Sequence, residues 1–126
     1  MLKIQLLAIM SFFAIGSVSC QVADSTTISN AEFKKISADK HVVILDVRTA
    51  DEFKDGHIPT ATNIDVLETD AFNKYIATLP KDKTYLLYCR SGKRSAKALA
   101  VMKDNGFANV KHLQNGFSGW DGAVEK

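Results

Sequence analysis

The chain has 126 residues, with 16 Lys and Arg against 14 Asp and Glu and a formal net charge of +2. That length suits one domain and is a tight fit for two. The near-balanced charge disfavours a strongly basic nucleic-acid binder, and an apolar fraction of 46% argues against disorder over most of the chain. Two cysteines can build neither a disulfide-dense scaffold nor a tetrahedral zinc site made mainly of thiolates.

Residues 1–20 read as an address. Lys3 is the only charged side chain before Asp24, and between them run Leu6 to Met10 and Phe12 to Ile15. Small residues follow, from Gly16 to Cys20. A positive end, a short apolar middle and a small-residue exit describe a secretory signal peptide. The apolar run is shorter than the roughly 20 residues of a membrane span, which weighs against an uncleaved anchor. Ser17-Val18-Ser19-Cys20 resembles a bacterial lipoprotein signal, with Cys20 as the lipidation candidate. Ser17 departs from the bulky apolar residue usual at its place, and ordinary cleavage is the alternative. The expected location is outside the cytoplasm, periplasmic or held at a membrane by lipid on Cys20. Residues 21–27 read as a tether, and residues 28–126 as the domain.

The domain alternates strand and helix. Ser29 and Glu32 form a capping box, with Ile28 and Phe33 as its hydrophobic staple, and open a helix through Ile36. Val42 to Leu45 is a strand buried on both faces. Thr49 and Glu52 form a second capping box around a brief helix at Phe53, ended by Asp55-Gly56. Ile58-Pro59 makes a turn. Ala61 to Val66 holds a short strand. Asp70 caps a helix bearing Phe72, Tyr75, Ile76 and Leu79, closed by Pro80. Thr84 to Tyr88 is a second buried strand. Ser95 to Lys103 is helical and ends at Asn105-Gly106. Val110 to Leu113 is a last strand, and Gly116 to Trp120 starts a short terminal helix. This alternation implies right-handed βαβ units, an α/β fold and a parallel sheet.

The chemistry gathers at Tyr88-Cys89-Arg90-Ser91-Gly92-Lys93-Arg94-Ser95. A strand delivers Cys89 to the carboxyl edge of the sheet, where open α/β proteins bind ligands. The loop after it enters a helix, whose first turn offers unpaired N–H groups and a positive dipole end. A thiol there, with Arg90, Lys93 and Arg94 within five residues, is expected to ionise below the ordinary value of about 8.5. Gly92 allows a tight, left-handed backbone. The pattern is that of an activated nucleophile for an anionic substrate. A buried inert cysteine beside a solvated basic loop is the plainer alternative.

With these residues in view, the chain resembles a single-domain rhodanese, a sulfurtransferase, from about Ile28 to Trp120. Asp46-Val47-Arg48, Glu52-Phe53, Gly56-His57-Ile58-Pro59, Ala61 and Asn63 resemble the first signature of that family. Cys89 to Ser95 resembles the active-site loop, and Asn115-Gly116 with Gly119-Trp120 the common tail. Thr60 stands where glycine is frequent. The resemblance implies a parallel five-stranded sheet with helices on both faces. It also implies a double displacement in which Cys89 takes the sulfane sulfur of a donor such as thiosulfate and passes it to cyanide or a thiol. Backbone N–H groups from Arg90 to Arg94, Ser91 and Gly92 included, would hold the thiolate and persulfide. Arg90, Lys93 and Arg94 would hold the dianionic donor and leaving sulfite, Arg90 and Arg94 more than Lys93. No cofactor or metal is expected, nor any nucleic-acid partner, and a monomer is.

Other residues carry plainer readings. Asp46 and Arg48 share a face and are expected to pair and support the active loop. His57 is expected to be structural, because an ionised thiolate needs no general base. His41 and His112 flank strands without a ligand pattern. Phe117 and Trp120 are expected in the core or as a lid. Cysteine phosphatases and arsenate reductases place arginine six positions after the cysteine. Here that place is Ser95, arginine comes one early at Arg94, and the shorter loop suits a single sulfur better than a phosphate. A persulfide carrier fed by a protein partner would use the same Cys89. A non-catalytic module of the same shape is the remaining alternative.

Overall fold

The computed structural model describes residues 25–126. The signal, Cys20 and most of the tether lie outside the described residues. Five strands are present: β1 (Thr27–Ile28), β2 (Val43–Asp46), β3 (Thr62–Asn63), β4 (Thr84–Tyr88) and β5 (Asn109–Leu113). The helices are α1 (Asn30–Ser37), α2 (Ala50–Asp55), α3 (Thr69–Ala77) and α4 (Lys93–Asp104), followed by a 3₁₀ turn at Phe117–Gly119. All strand pairs are parallel, in the order β1-β5-β4-β2-β3. The expected five-stranded parallel sheet is therefore present.

Period-two alternation explains the two-sided core. Leu45 and Val47 of β2 and its exit, with Tyr85 and Leu87 of β4, face Phe72 and Ile76 of α3 and Ala98 and Met102 of α4. Ile44, Leu86 and Tyr88 face the other way, toward Phe33 of α1, with Phe117 and Trp120 packed alongside. Phe33 meets Trp120 edge to face at 5.3 Å between ring centres. Both aromatic residues of the tail thus serve the core.

Of the two expected capping boxes, the one at Ser29 forms only its forward half and the one at Thr49 forms in full. Ser29 Oγ accepts from the Glu32 N–H at 3.2 Å. Thr49 and Glu52 complete a reciprocal capping box. The third start differs from expectation. The cap of α3 is Glu68, without a side-chain bond, and Asp70 lies inside the first turn. Asp65 instead turns back to accept from the Leu67 N–H at 2.9 Å. The strand expected over Ala61 to Val66 narrows to two residues, although Ile64 and Val66 still donate to the carbonyls of Asp46 and Val47. The short terminal helix is a single 3₁₀ turn. Thr27, placed in the tether by composition, pairs with His112 in the sheet. A two-residue strand has no periodicity to read, and only its long-range partner defines it.

The topology fixes one crevice. From the end of β2 the chain runs to β3 on one side of the sheet. From the end of β4, the neighbouring strand, it runs to β5 on the other. Such divergence opens a binding crevice at the carboxyl ends of the two strands. Asp46 and Arg48 stand at the end of β2, and Cys89 at the end of β4.

Candidate active site

Cys89 follows the last residue of β4, continues the Tyr85–Leu87 face and has no exposed surface. The loop after it turns at Gly92, whose φ of 102° is left-handed. This turn brings the Gly92 N–H to 3.1 Å from Cys89 Sγ. Helix α4 starts at Lys93, two residues before the expected Ser95, so Ser95 is the third residue of its first turn. Ser95 Oγ lies 3.5 Å from the sulfur. Burial pushes the Cys89 thiol up. Hydrogen bonding by the Ser95 hydroxyl and by the N–H groups of Ser95, Gly92 and Ser91 outweighs it, and the net direction is down. The hydrogen-bonding shell favours the charged form.

The tail of the domain props this loop from behind. The Phe117 N–H donates to the Cys89 carbonyl at 2.8 Å, and the Ser118 N–H to the Arg90 carbonyl at 2.9 Å. Gly116, with φ of 60°, passes so close that a Cβ there would sit 2.4 Å from the Arg90 oxygen and 2.6 Å from the Cys89 oxygen. At Gly92 a Cβ would sit 2.4 Å from the Gln114 oxygen. Any side chain at either position would push the loop off its support.

The three cations differ in what they do. Arg90 and Lys93 are exposed. Arg94 is held by Glu52 through two hydrogen bonds, Nη1 to Oε1 at 2.7 Å and Nη2 to Oε2 at 2.9 Å. Arg94 is pushed further up by Glu52 and, more weakly, by the Cys89 charge. The main support for the thiolate is therefore the hydrogen-bonding shell, in which the N–H groups of Ser91 and Gly92 belong to the expected set and the Ser95 hydroxyl is an addition. Lys93 and Arg94 occupy the first two positions of α4, where the helix dipole disfavours cations.

Asp46 and Arg48 form a closed buried pair. Arg48 is 4% exposed. Its Nε reaches Asp46 Oδ1 at 2.9 Å and its Nη2 reaches Oδ2 at 2.6 Å. Nη2 also donates to the Gly56 carbonyl at 2.7 Å. The guanidinium lies over Phe117 at 4.4 Å, on the segment that backs the loop. Asn63 donates to the Asp46 and Arg48 carbonyls at 3.0 and 2.9 Å, fixing the exit of β2. An open cleft of about 400 Å³ is lined by Arg48, Glu52, Arg90 and Ser118, among others. His57 is occupied elsewhere: Nδ1 bonds the Phe53 carbonyl at 3.0 Å and the ring stacks on Phe53 at 3.8 Å.

Three residues do more at the site than the sequence implies. Glu52 is expected as a cap and part of a signature, and Ser95 as a helix start and the end of the active-site loop, but neither reading names the partner met here. His112 was set aside, yet it is buried, with Nδ1 2.9 Å from Ser95 Oγ and Nε2 3.0 Å from Thr27 Oγ1. Its signal was present: alternation along β5 puts His112 on the same face as Val110, which packs with α4. Among the described residues Cys89 is the free cysteine, no cluster of three or more His, Cys, Asp or Glu could hold a metal, and no helix is long and apolar enough to cross a membrane.

Comparison with known proteins bears on this site. The Rhodanese-like domain family matches residues 29–123. A Mycobacterium tuberculosis protein named as a probable adenylyltransferase/sulfurtransferase, MoeZ, is 35% identical over 107 residues, 84% of this chain and 27% of that protein. The chain thus spans about a quarter of that relative's length. A protein named sulfurtransferase from Allochromatium vinosum is 31% identical over 97 residues, 77% of this chain and 84% of that one. The crystal structure of a rhodanese-like domain protein from Staphylococcus aureus superposes with a TM-score of 0.69 at 31% identity, over 79% of this chain and 96% of that chain. The buried thiol, its glycine-turned loop and the tail behind it are thus the features of a chain that belongs to the Rhodanese-like domain family.

Proposed function

We propose that the protein is a sulfurtransferase that carries sulfane sulfur on Cys89. One observation supports this above the others: a buried sulfur faced by the Gly92 N–H and the Ser95 hydroxyl at the start of a helix, with its thiol held below the usual range. At the coarser level of sulfur transfer, two relatives named for that activity support the same reading.

In the proposed reaction the donor is thiosulfate or a similar small anion. The Cys89 thiolate attacks its outer sulfur. The S–S bond of the donor breaks, and its electron pair leaves with sulfite. Cys89 then carries a persulfide, stabilised by the same N–H groups that held the thiolate. Cyanide or a thiol attacks the terminal sulfur, and the Cys89 thiolate is restored. Arg90 and Lys93, the exposed cations, would meet the donor charge. Arg94, clamped to Glu52, would supply a fixed charge beside the loop. Two half-reactions through one covalent intermediate predict ping-pong kinetics.

Intact mass spectrometry with and without thiosulfate tests the proposal. A gain of one sulfur that vanishes in Cys89→Ser, together with steady thiosulfate:cyanide turnover, is the expected result. A persulfide that forms only from a protein partner would make the chain a carrier. Hydrolysis of an aryl phosphate would overturn the reading. Export, with cleavage or lipidation at Cys20, is proposed from the sequence, and the starting mass of the mature protein tests it.

A further inference from the structure

Ser95 Oγ stands at a junction. It lies 3.5 Å from Cys89 Sγ, 2.9 Å from His112 Nδ1 and 3.1 Å from the Gly92 carbonyl oxygen. A hydroxyl has one proton to donate. Three acceptors therefore compete for it, and all are buried along with Ser95 itself: Cys89 has no exposed surface, His112 has 7% and Gly92 is buried.

The His112 tautomer decides that competition. With its proton on Nε2, Nδ1 is an acceptor and draws the Ser95 proton across 2.9 Å. Sγ then faces an oxygen lone pair, which suits a thiol S–H and repels a thiolate. With a proton on Nδ1, His112 donates to Ser95 and the serine proton is released to its other neighbours. Thr27 Oγ1, 3.0 Å from Nε2, completes this second setting by donating to that nitrogen. A buried hydroxyl whose acceptor site is filled by a strong donor turns its proton to whichever remaining neighbour carries negative charge.

We propose that His112 is a positioning residue for Cys89: Nδ1–H of His112 donates to Ser95 Oγ, and Ser95 in turn donates to the ionised sulfur. The kinetic consequence rests on the sulfur-transfer reading, whereas the hydrogen-bond chain does not. The titratable groups joined by these contacts are Cys89, at the end of β4, and His112, on β5. Helix α4 contributes Ser95 and the charge of Arg94, which is paired with Glu52 of α2, and β1 contributes Thr27. The adjacent Lys111 turns its ammonium to the Ser25 carbonyl at 3.0 Å.

The experiment is the rate of Cys89 alkylation by iodoacetamide against pH, in the whole protein and in Ser95→Ala, His112→Leu, His112→Asn and the Ser95→Ala/His112→Leu double variant. His112→Leu should raise the midpoint by about one pH unit, a roughly tenfold loss of thiolate below it. His112→Asn, whose amide N–H takes the place of Nδ1–H, should recover most of the loss. The double variant should shift no further than Ser95→Ala alone, because His112 acts through that hydroxyl. A wild-type midpoint in His112→Leu, or shifts that add in full, would overturn the proposal. Nitrogen chemical shifts of His112 in the unmodified protein read the tautomer without any variant. A proton on Nε2 alone, at a pH where Cys89 is ionised, would also overturn it. Failure of the wild-type protein to take sulfur from thiosulfate would count against the proposed function and leave these titrations to decide the role of His112.

Discussion

Arg94 and Glu52 lie 42 positions apart and meet through two parallel hydrogen bonds of 2.7 and 2.9 Å. The same Glu52 accepts from Thr49 Oγ1 at 3.2 Å, closing the cap of α2. One carboxylate therefore joins the helix that leaves β2 to the helix that leaves β4. The two walls of the crevice are thereby fastened to each other.

That clamp has a pH signature. Arg94, aided by the Thr49 backbone N–H and hydroxyl, lowers Glu52 from 4.5 to about 2. A carboxyl whose folded value lies below its unfolded one stabilises the fold fully above the unfolded value. The contribution is lost as pH falls through the folded value. Thermal stability should decline between about pH 4.5 and pH 2. Glu52→Gln should flatten that decline and cost about 1 kcal/mol or less at neutral pH, since both side chains are partly solvated.

The thiol should titrate below an unfolded cysteine. Its lowered pKa has the same sign as that of Glu52, so ionisation of Cys89 favours the folded state as pH rises. The alkylation midpoint of the native protein should lie below that of the same chain in denaturant. Equal midpoints would remove the basis for an activated nucleophile.

Gly116→Ala should damage both fold and activity. The new Cβ would meet three backbone atoms of Cys89 and Arg90 within 2.6 Å, at a φ of 60°. Backbone cannot rotate aside as a side chain can. A loss of about 2 kcal/mol is expected by denaturant unfolding. Sulfur transfer should fall even where the variant remains folded, because the loop carrying the sulfur is displaced.

Arg48→Ala should cost about 3 to 5 kcal/mol, the range for leaving a buried carboxylate without its partner. Asp46 has no exposed surface and cannot recover hydration. Chemical unfolding reads this, and a loss under 1 kcal/mol would show that Asp46 finds another partner.

Thr60→Gly should stabilise the protein. The Ala61 N–H bonds the Ile58 carbonyl at 3.1 Å, Pro59 stands second in the turn, and Thr60 in third place has φ of 69°. This is the pattern of a type II turn, which wants glycine third. A branched residue there costs about 1 to 2 kcal/mol, and glycine returns part of that in chain entropy. A net gain of roughly 0.5 to 1 kcal/mol is the expected change in unfolding free energy.

Local signals made most of the fold legible. The runs at Val42 to Leu45 and Thr84 to Tyr88 read as buried strands because hydrophobic side chains on both faces leave no polar alternation. The helix starts at Ser29 and Thr49 are legible because a hydroxyl three residues before a carboxylate favours a cap, although only Thr49 completes the reciprocal box. Asp70 misled because Asp65 and Glu68, also able to serve, lie in the same turn. The loop at Cys89 was visible from residue types alone. The N–H groups of its loop are legible too, but the Ser95 hydroxyl and its link to His112 are not, since that contact crosses from α4 to β5. Glu52 looked complete as a cap, and nothing local announces a second partner 42 positions away.

The full enclosure of Cys89 has a consequence for selectivity. A covered thiolate should react with small electrophiles such as iodoacetamide sooner than with bulky aromatic disulfides that any surface thiol would reduce. The same cover should slow condensation with glutathione-sized oxidants, and assays built on large chromogenic disulfides should record an almost silent cysteine.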